Sequence, residues 1–429
     1  MSKAAHILGM NARNQIYLKL NTKKGRQVAD SKWLTKKVLR VNELPSPKLL
    51  KLFRRPAAVV EFDWSSLPDN FVLKPVSGYA GGGIIVVKKK AKWAGEWYLM
   101  DNTIINTADL RLQALDIMAG QYSLHNLPDW AMLEERIKIA KVFKKYAYQG
   151  TPDIRVVVCN RVPVMAMLRL PTAQSKGKAN LHQGAIGVGI DLATGITTHA
   201  VWQGRFLQYI PGTKRKVNGL KLPYWNTILA LAVRAQEAVP SLGYMGVDVV
   251  YDKEHGPVIL ELNARPGLEI QNANLAPLRK RLQRVEGLEV RDADHGVRIA
   301  KTLFAGRFAD RVMAEEGVKT LNNEEEVKIR TSEGKRTLVL TRIDTGAFRS
   351  SIDRDLAEQL GLLAENNILW QNHFGYRSAQ GRQSRPVISL TFWLAGSKIS
   401  SSASVADRSK MKYKFLIGRN DLEGFLVRP

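Results

Sequence analysis

The stretch GVDVVYDKEHGPVILELNARPG, residues 246–267, decides the fold of this chain. Its β-rich runs Gly246–Tyr251 and Pro257–Leu262 predict two strands. Side chains two apart on a strand share a face, so Glu261 and Asn263 project together, and a hairpin partner brings Asp248 beside them. Three oxygen ligands on one wall suit Mg²⁺ bridging nucleotide phosphates, because that ion keeps several waters and takes only one or two carboxylates. Acidic residues on two solvated strand faces are the alternative for this segment taken alone.

Toward the N-terminus, Lys74-Pro75-Val76-Ser77-Gly78-Tyr79-Ala80-Gly81-Gly82-Gly83 sets a lysine at the end of a strand, ahead of a glycine-rich loop. An ammonium and several backbone N–H groups then stand where phosphate oxygens can sit. No Gly-Lys-Ser/Thr follows, so this is not a Walker sequence, and a purely structural glycine hairpin has the same composition. The flanking pattern predicts a helix over Lys32–Arg40, stopped before Pro45 and Pro47, then strands at Ala57–Phe62 and Phe71–Lys74, and a return strand at Ile84–Val87. Further along it predicts a helix at Thr107–Ala119 and a strand at Ala131–Ile137. Asp153–Cys159 pairs with Val162–Leu168, and Leu222–Val239 is helical.

The order of Lys32, Lys74 with its loop, Leu133-Glu134-Glu135-Arg136-Ile137, Asp153-Ile154-Arg155 and Asp248…Glu261-Leu262-Asn263 resembles the ATP-grasp fold. Within it, Asp153 to Val158, Arg169 and Asn180-Leu181-His182-Gln183-Gly184 are similar to the RimK-like alpha-L-glutamate ligases, over about residues 28–300. The resemblance implies that Lys32 and Lys74, with Ser77, Gly81, Gly82 and Gly83, grip ATP phosphates. Glu134, Glu135 and Arg136 form the hinge strand along the adenine, and Asp153 takes the ribose. Asp248, Glu261 and Asn263 hold Mg²⁺, while Arg155 and Arg169 face the γ-phosphate and the developing acyl phosphate. In such enzymes a carboxylate is activated as an acyl phosphate, which an amine displaces to form an amide. Ser31 stands where an aspartate often precedes the lysine, and His182 is a candidate acid that a structural histidine beside a glycine turn would mimic.

In the last hundred residues, Leu338 to Ala347 places Asp344-Thr345-Gly346 directly after an apolar strand. With Arg377, Arg385-Pro386-Val387-Ile388, Asp407-Arg408 and Phe415-Leu416-Ile417-Gly418-Arg419, this resembles the retropepsin-like, RimB-type peptidases named as ATP-dependent zinc proteases. Aspartic catalysis needs two carboxylates sharing a proton. One Asp-Thr-Gly per chain therefore implies a homodimer contributing Asp344 from each copy, or else a binding module in which Asp344 holds a turn. Zinc finds little support, since His373 stands alone and no His-Glu-x-x-His is present. The expected architecture is an α+β ATP-grasp fold followed by a small, mainly β, retropepsin-like domain. The boundaries fall at 1–57 for a basic helical region, 58–315 for the grasp, 316–326 for a linker and 327–429 for the β domain.

Sixty-five Lys and Arg against 39 Asp and Glu leave a formal charge of +26 in 429 residues, so the partners are anionic. Residues 1–57 alone hold fourteen basic and two acidic residues. The chemistry implied is a ligase that uses ATP and Mg²⁺ to add glutamate or another amino acid to an acidic peptide or protein acceptor, with a C-terminal domain that hydrolyses or binds the product. The alternative is an ATP-gated protein associated with nucleic acid or ribosomes, whose binding would weaken steeply with salt. No apolar run is long enough to span a bilayer, no signal pattern opens the chain, and the single Cys159 excludes internal disulfides. A cytoplasmic location without membrane attachment is the expectation.

Overall fold

The computed structural model describes residues 7–78, 81–123, 126–304, 319–370, 376–378, 381–383, 385–422 and 425–427. The chain forms two units, Met1–Ile190 with Gly195–Gln283, and Asp191–Thr194 with Arg284–Pro429.

The first unit opens with helices α1 (Met10–Gln15), α2 (Lys23–Asp30) and α3 (Lys32–Val41). Thr22 caps α2 by accepting from Gly25 N, and Ser31 caps α3 by accepting from Leu34 N. Each hydroxyl satisfies an N–H that the first helical turn leaves unpaired, which explains a serine ahead of Lys32. The basic region is not helical throughout, because Leu49–Phe53 is a strand, β1, with a register shift between Leu49 and Lys51. The strand expected at Ala57–Phe62 is instead helix α4 (Pro56–Glu61). Pro56 sits in its first turn, where a fixed φ and a missing N–H are harmless.

Strands β2 (Phe71–Pro75), β3 (Ile85–Lys90), β4 (Glu96–Leu99), β5 (Ile104–Asn106) and β6 (Ala131–Glu135) join β1 in the order β1-β6-β2-β3-β4-β5. Helix α5 (Thr107–Met118) starts at a reciprocal Asn106–Asp109 capping box. Its inner face adds Leu110, Ala114 and Ile117 to a core with Phe53, Trp64, Phe71 and Trp97.

The larger sheet is antiparallel, from β7 (Asp153–Cys159), β8 (Val162–Leu170), β9 (Ile186–Ile190), β10 (Thr197–Trp202) and β11 (Arg205–Leu207) to β12 (Tyr244–Asp252) and β13 (Gly256–Asn263), in the order β11-β10-β9-β8-β7-β12-β13. Every residue of β7, β8 and β12 is buried. The long apolar helix α6 (Trp225–Ala238) packs on one face, while α7 (Ile270–Asn274) packs on β8, β9 and β10. Helix α8 (Leu278–Val285) runs to the boundary between the units.

The second unit begins with α9 (Ala293–Phe304); residues 305–318, which include the start of the expected linker, lie outside the described residues. Strand β14 (Lys319–Leu321) follows, and the Glu324-Glu325-Glu326 run opens β15 (Glu324–Arg330). The chain continues through β16 (Arg336–Asp344), β17 (Ser351–Asp353), α10 (Arg354–Gln359), β18 (Ile368–Trp370), β19 (Tyr376–Ser378), β20 (Gly381–Gln383), β21 (Val387–Leu394), β22 (Ser397–Ala406), β23 (Phe415–Gly418) and β24 (Phe425–Val427). Strands β15-β16-β23-β17-β22-β21 pair in turn, and β21 returns to β15 through Lys328↔Trp393 and Ile329↔Phe392, closing a six-stranded barrel. Closure removes the open edges of the sheet and encloses Ile329, Ile352, Phe392, Val405 and Phe415. No helix among the described residues is long and apolar enough to cross a membrane.

Candidate active site

A cleft of about 1950 Å³ opens in the first unit, and its lining collects most of the residues singled out above. One wall comes from α3 and the β2–β3 connection. Lys32 and Lys36, one helical turn apart, share a face of α3. Lys32 N donates to Val76 O at 3.0 Å, and Lys32 Nζ donates to Gly78 O at 3.2 Å, tying the helix start to the glycine loop. Burial pulls the Lys32 ammonium below its usual range, although Glu261 across the cleft favours its charge.

The loop is pinned at its root, where Asp129 Oδ2 accepts from Ser77 N at 2.7 Å and Asp129 Oδ1 accepts from Trp130 N at 2.8 Å. Ser77, Gly81 and Gly82 line the cleft, while Gly83 packs behind it. Gly83 adopts φ +72°, and a Cβ there would lie 2.6 Å from the Tyr122 ring, so this glycine serves the turn. Tyr79 and Ala80 lie outside the described residues.

Lys74 and Glu134 face the cleft from neighbouring strands, yet the Glu134 carboxylate is taken by two ammoniums. Lys74 Nζ pairs with Oε1, and Lys36 Nζ lies 2.8 Å from Oε2. Burial alone would raise this carboxyl, but Lys74 and then Lys36 outweigh it and hold it below the usual range. Glu134 is therefore the counter-ion of Lys74, a contact the expected hinge assignment did not include. Glu135 and Arg136 continue along the cleft, with Arg136 Nη1 donating to Lys88 O at 2.9 Å.

The opposite wall is the larger sheet. Register sets Asp248 against Glu261 on one side and Arg155 on the other, with Asp153 opposite Arg169. The carboxylate of Asp248, wholly buried, accepts Arg155 Nε at 2.7 Å and Nη2 at 2.6 Å, plus Arg169 Nη2 at 2.7 Å. Burial would raise it, and the two guanidiniums hold it well below the carboxylate range. Arg169 also grips Asp153 bidentately, at 2.5 and 2.7 Å. Asp153 is pushed up to about 7 by burial and by Asp248, which competes for the same arginine. In this structure the two arginines and Asp153 thus form a closed ionic network, a different engagement from the γ-phosphate and ribose contacts expected of them.

Glu261 and Asn263 line the cleft in front of that network. Burial and the neighbouring Asp248 raise the Glu261 carboxyl, the signature of crowded negative charge that a divalent cation relieves. Asn263 Oδ1 accepts from Arg265 N at 2.8 Å and, as a carbonyl oxygen, retains a second lone pair. These two oxygens fit a Mg²⁺ site, with Asp248 behind them. Among the described residues Asp252, Glu254 and His255 also come together, at the β12–β13 turn. There the Asp252 carboxylate accepts three backbone N–H groups, from Lys138, Glu254 and His255, so it holds a turn.

The outer end of the cleft is cationic. His182, 75% exposed, sits 3.3 Å from Glu269, and Lys176 and Lys178 line the same rim. Of residues 171–190, Ala173, Lys176 to Asn180 and His182 line the cleft, and none of these is acidic. In the second unit Asp344 ends β16, and its Oδ1 accepts from Gly346 N at 2.9 Å and Ala347 N at 3.1 Å, as in a tight turn. The Arg377 side chain and His373 lie outside what the structure describes. Lys36, Asp129 and Glu269 were missed from the sequence; only Lys36 left a signal, its i+4 spacing from Lys32.

No curated protein matches this sequence. Solved structures with similar folds include the ATP-grasp ligase PsnB complexed with a minimal precursor, at 18% identity and TM-score 0.32 over 62% of this chain and 64% of that one. The chain thus spans less than two thirds of PsnB. D-alanine–D-alanine ligase from Bacillus anthracis matches at 14% identity and TM-score 0.34, over 62% of this chain and 68% of that one. Biotin carboxylase from Campylobacter jejuni matches at 13% and 0.41, over 67% and 55%. By the chemistry of their donors, the lysine wall fits phosphate oxygens and the Glu261–Asn263 wall fits a divalent cation. The model of the sugar-transfer associated ATP-grasp family covers residues 11–287, and the chain belongs to that family.

Proposed function

We propose that the cleft is the active site of a RimK-like carboxylate–amine ligase that joins an amino acid, glutamate by resemblance, to a peptide or protein terminus. The observation that carries this is the facing of Lys32, Lys74 and the glycine loop against Glu261 and Asn263 across one cavity. The chemistry that ATP and Mg²⁺ supply when bound is activation of a carboxylate as an acyl phosphate that an amine displaces. Lys32 and Lys74 hold phosphate oxygens, and loop N–H groups at Gly81 and Gly82 complete the cradle. Glu261 and Asn263 hold the cation. Arg155 and Arg169 keep Asp248 ionised behind Glu261. Lys176 and Lys178 at this end of the cleft favour an anionic acceptor, a preference that Glu269, paired with His182, offsets only in part.

For the second unit we propose a retropepsin-like barrel that binds the acidic product and hydrolyses it where two copies each bring an Asp344. Exposed Lys398, Lys410 and Lys412 support an acidic ligand. The test is ADP release from Mg-ATP across single amino acids and short acidic peptides, with Glu261→Gln as control and Asp344→Asn for trimming. Release that needs one amino acid and one acceptor supports the ligase. Nucleotide binding without that dependence favours the ATP-gated binding protein, and trimming unchanged by Asp344→Asn removes the peptidase.

A further inference from the structure

We infer that Lys36 is a positioning residue for nucleotide binding, which keeps Lys74 available to phosphate by holding the Glu134 carboxylate when Lys74 leaves it. The inference rests on the proposal that the cleft binds Mg-ATP. Lys36, Lys74 and Glu134 are 6%, 4% and 3% exposed, so their charges are compensated by one another rather than by water. Lys74 and Glu134 line the cleft, whereas Lys36 does not, which puts Lys36 behind the carboxylate. Its Nζ is anchored there by Pro47 O at 2.5 Å as well as by Glu134 Oε2. Glu134 lies on β6 between β1 and β2, opposite Leu49 and Val72, so its direction is set by pairing on both sides.

The physical consequence follows from the cost of an unpaired buried charge. With Lys36 present, Lys74 can swing to a phosphate oxygen while Glu134 keeps a cation. Without Lys36, Lys74 and Glu134 form a closed pair, and recruiting Lys74 strands a buried carboxylate. Lys36 thus acts on the nucleotide through Glu134 without touching it. A lysine that attracted phosphate directly, by its charge alone, would behave differently once Glu134 is neutralised.

The test is calorimetric binding of Mg-ATP to the full chain, alongside KM and kcat for ATP. Lys36→Met is expected to weaken binding about tenfold, with a matching rise in KM and little change in kcat, and Lys36→Arg to restore most of the affinity. In a Glu134→Gln background, Lys36→Met is expected to change affinity less than about twofold, because no buried carboxylate remains to be stranded. That comparison stands even if the single Lys36→Met protein does not fold. Equal losses in both backgrounds, or a lower melting temperature with affinity unchanged, would overturn the inference. Wild-type protein that binds no Mg-ATP would overturn the reading of the cleft itself and the inference with it.

Discussion

Arg169 ties together two carboxylates that burial would otherwise set against each other, and its removal measures how much the site depends on that network. It gives two hydrogen bonds to Asp153 and one to Asp248, and the residue is 8% exposed. Arg169→Met preserves the stem and removes the charge, leaving Asp153 without its bidentate partner and Asp248 with Arg155 alone. Breaking a buried ion pair from one side costs about 3–5 kcal/mol, which corresponds to roughly 5–9 °C in the melting of a unit this large. Asp248, held low in the native state, contributes stability above its unfolded pKa that is lost as pH falls. Asp153, raised to about 7, does the reverse, contributing below its unfolded pKa and losing that as pH rises through about 7. Without Arg169 both carboxyls move up, so the deficit is greatest at pH 8 and shrinks toward pH 5 as they take protons. Hydrogen exchange of β7 and β8 amides separates this unit from the barrel and reads the loss directly. A deficit below about 1 kcal/mol, or one equal at the two pH values, would mean that Arg169 does not hold the two carboxylates together.

Other expectations follow from single positions. Gly83→Ala adds a Cβ at φ +72° against the Tyr122 ring and is expected to destabilise by at least about 1 kcal/mol, part of which Tyr122→Ala recovers; a neutral Gly83→Ala would contradict the packing. In the barrel, Asp421 is raised by burial although the Ser350 and Ser401 hydroxyls donate to its Oδ2. Its raised native pKa means stability present below the unfolded value of 3.8 and lost as pH rises through the native one. Asp421→Asn should remove that component from the barrel's thermal transition, and an unchanged pH dependence would exclude it. Asp129→Ala frees Ser77 N at the root of the glycine loop and is expected to raise KM for ATP several-fold with the fold intact; an unchanged KM would dissociate the anchor from binding.

The sequence was most legible where chemistry and period coincide. Glu261 and Asn263 are two apart on a strand, and Lys74 ends a strand before glycines, so local geometry alone brings them to the cleft. Asp248 beside Glu261 needed only a hairpin, and the register confirms it. Arg155, Arg169 and Asp153 were harder, since their partners are set by pairing among β7, β8 and β12, strands up to about ninety residues apart in sequence. The motif named these residues without showing that they bind one another. Asp129 was invisible, and Lys36 showed only its spacing from Lys32, for a similar reason, because what matters is where Ser77 and Glu134 fold against them. Locally, β1 and α4 were exchanged: Leu49–Phe53 carries its strand pattern over only five residues, and Pro56 before two alanines favours a helix that a short valine run disguises.

The most direct test of the central claim is ADP release by the wild-type chain and by Glu261→Gln, with Mg-ATP and a panel of amino acids and acidic peptides. The expected release requires both an amino acid and an acceptor, needs Mg²⁺, and is lost in Glu261→Gln. Release that ignores both substrates, or that survives Glu261→Gln undiminished, would contradict that claim.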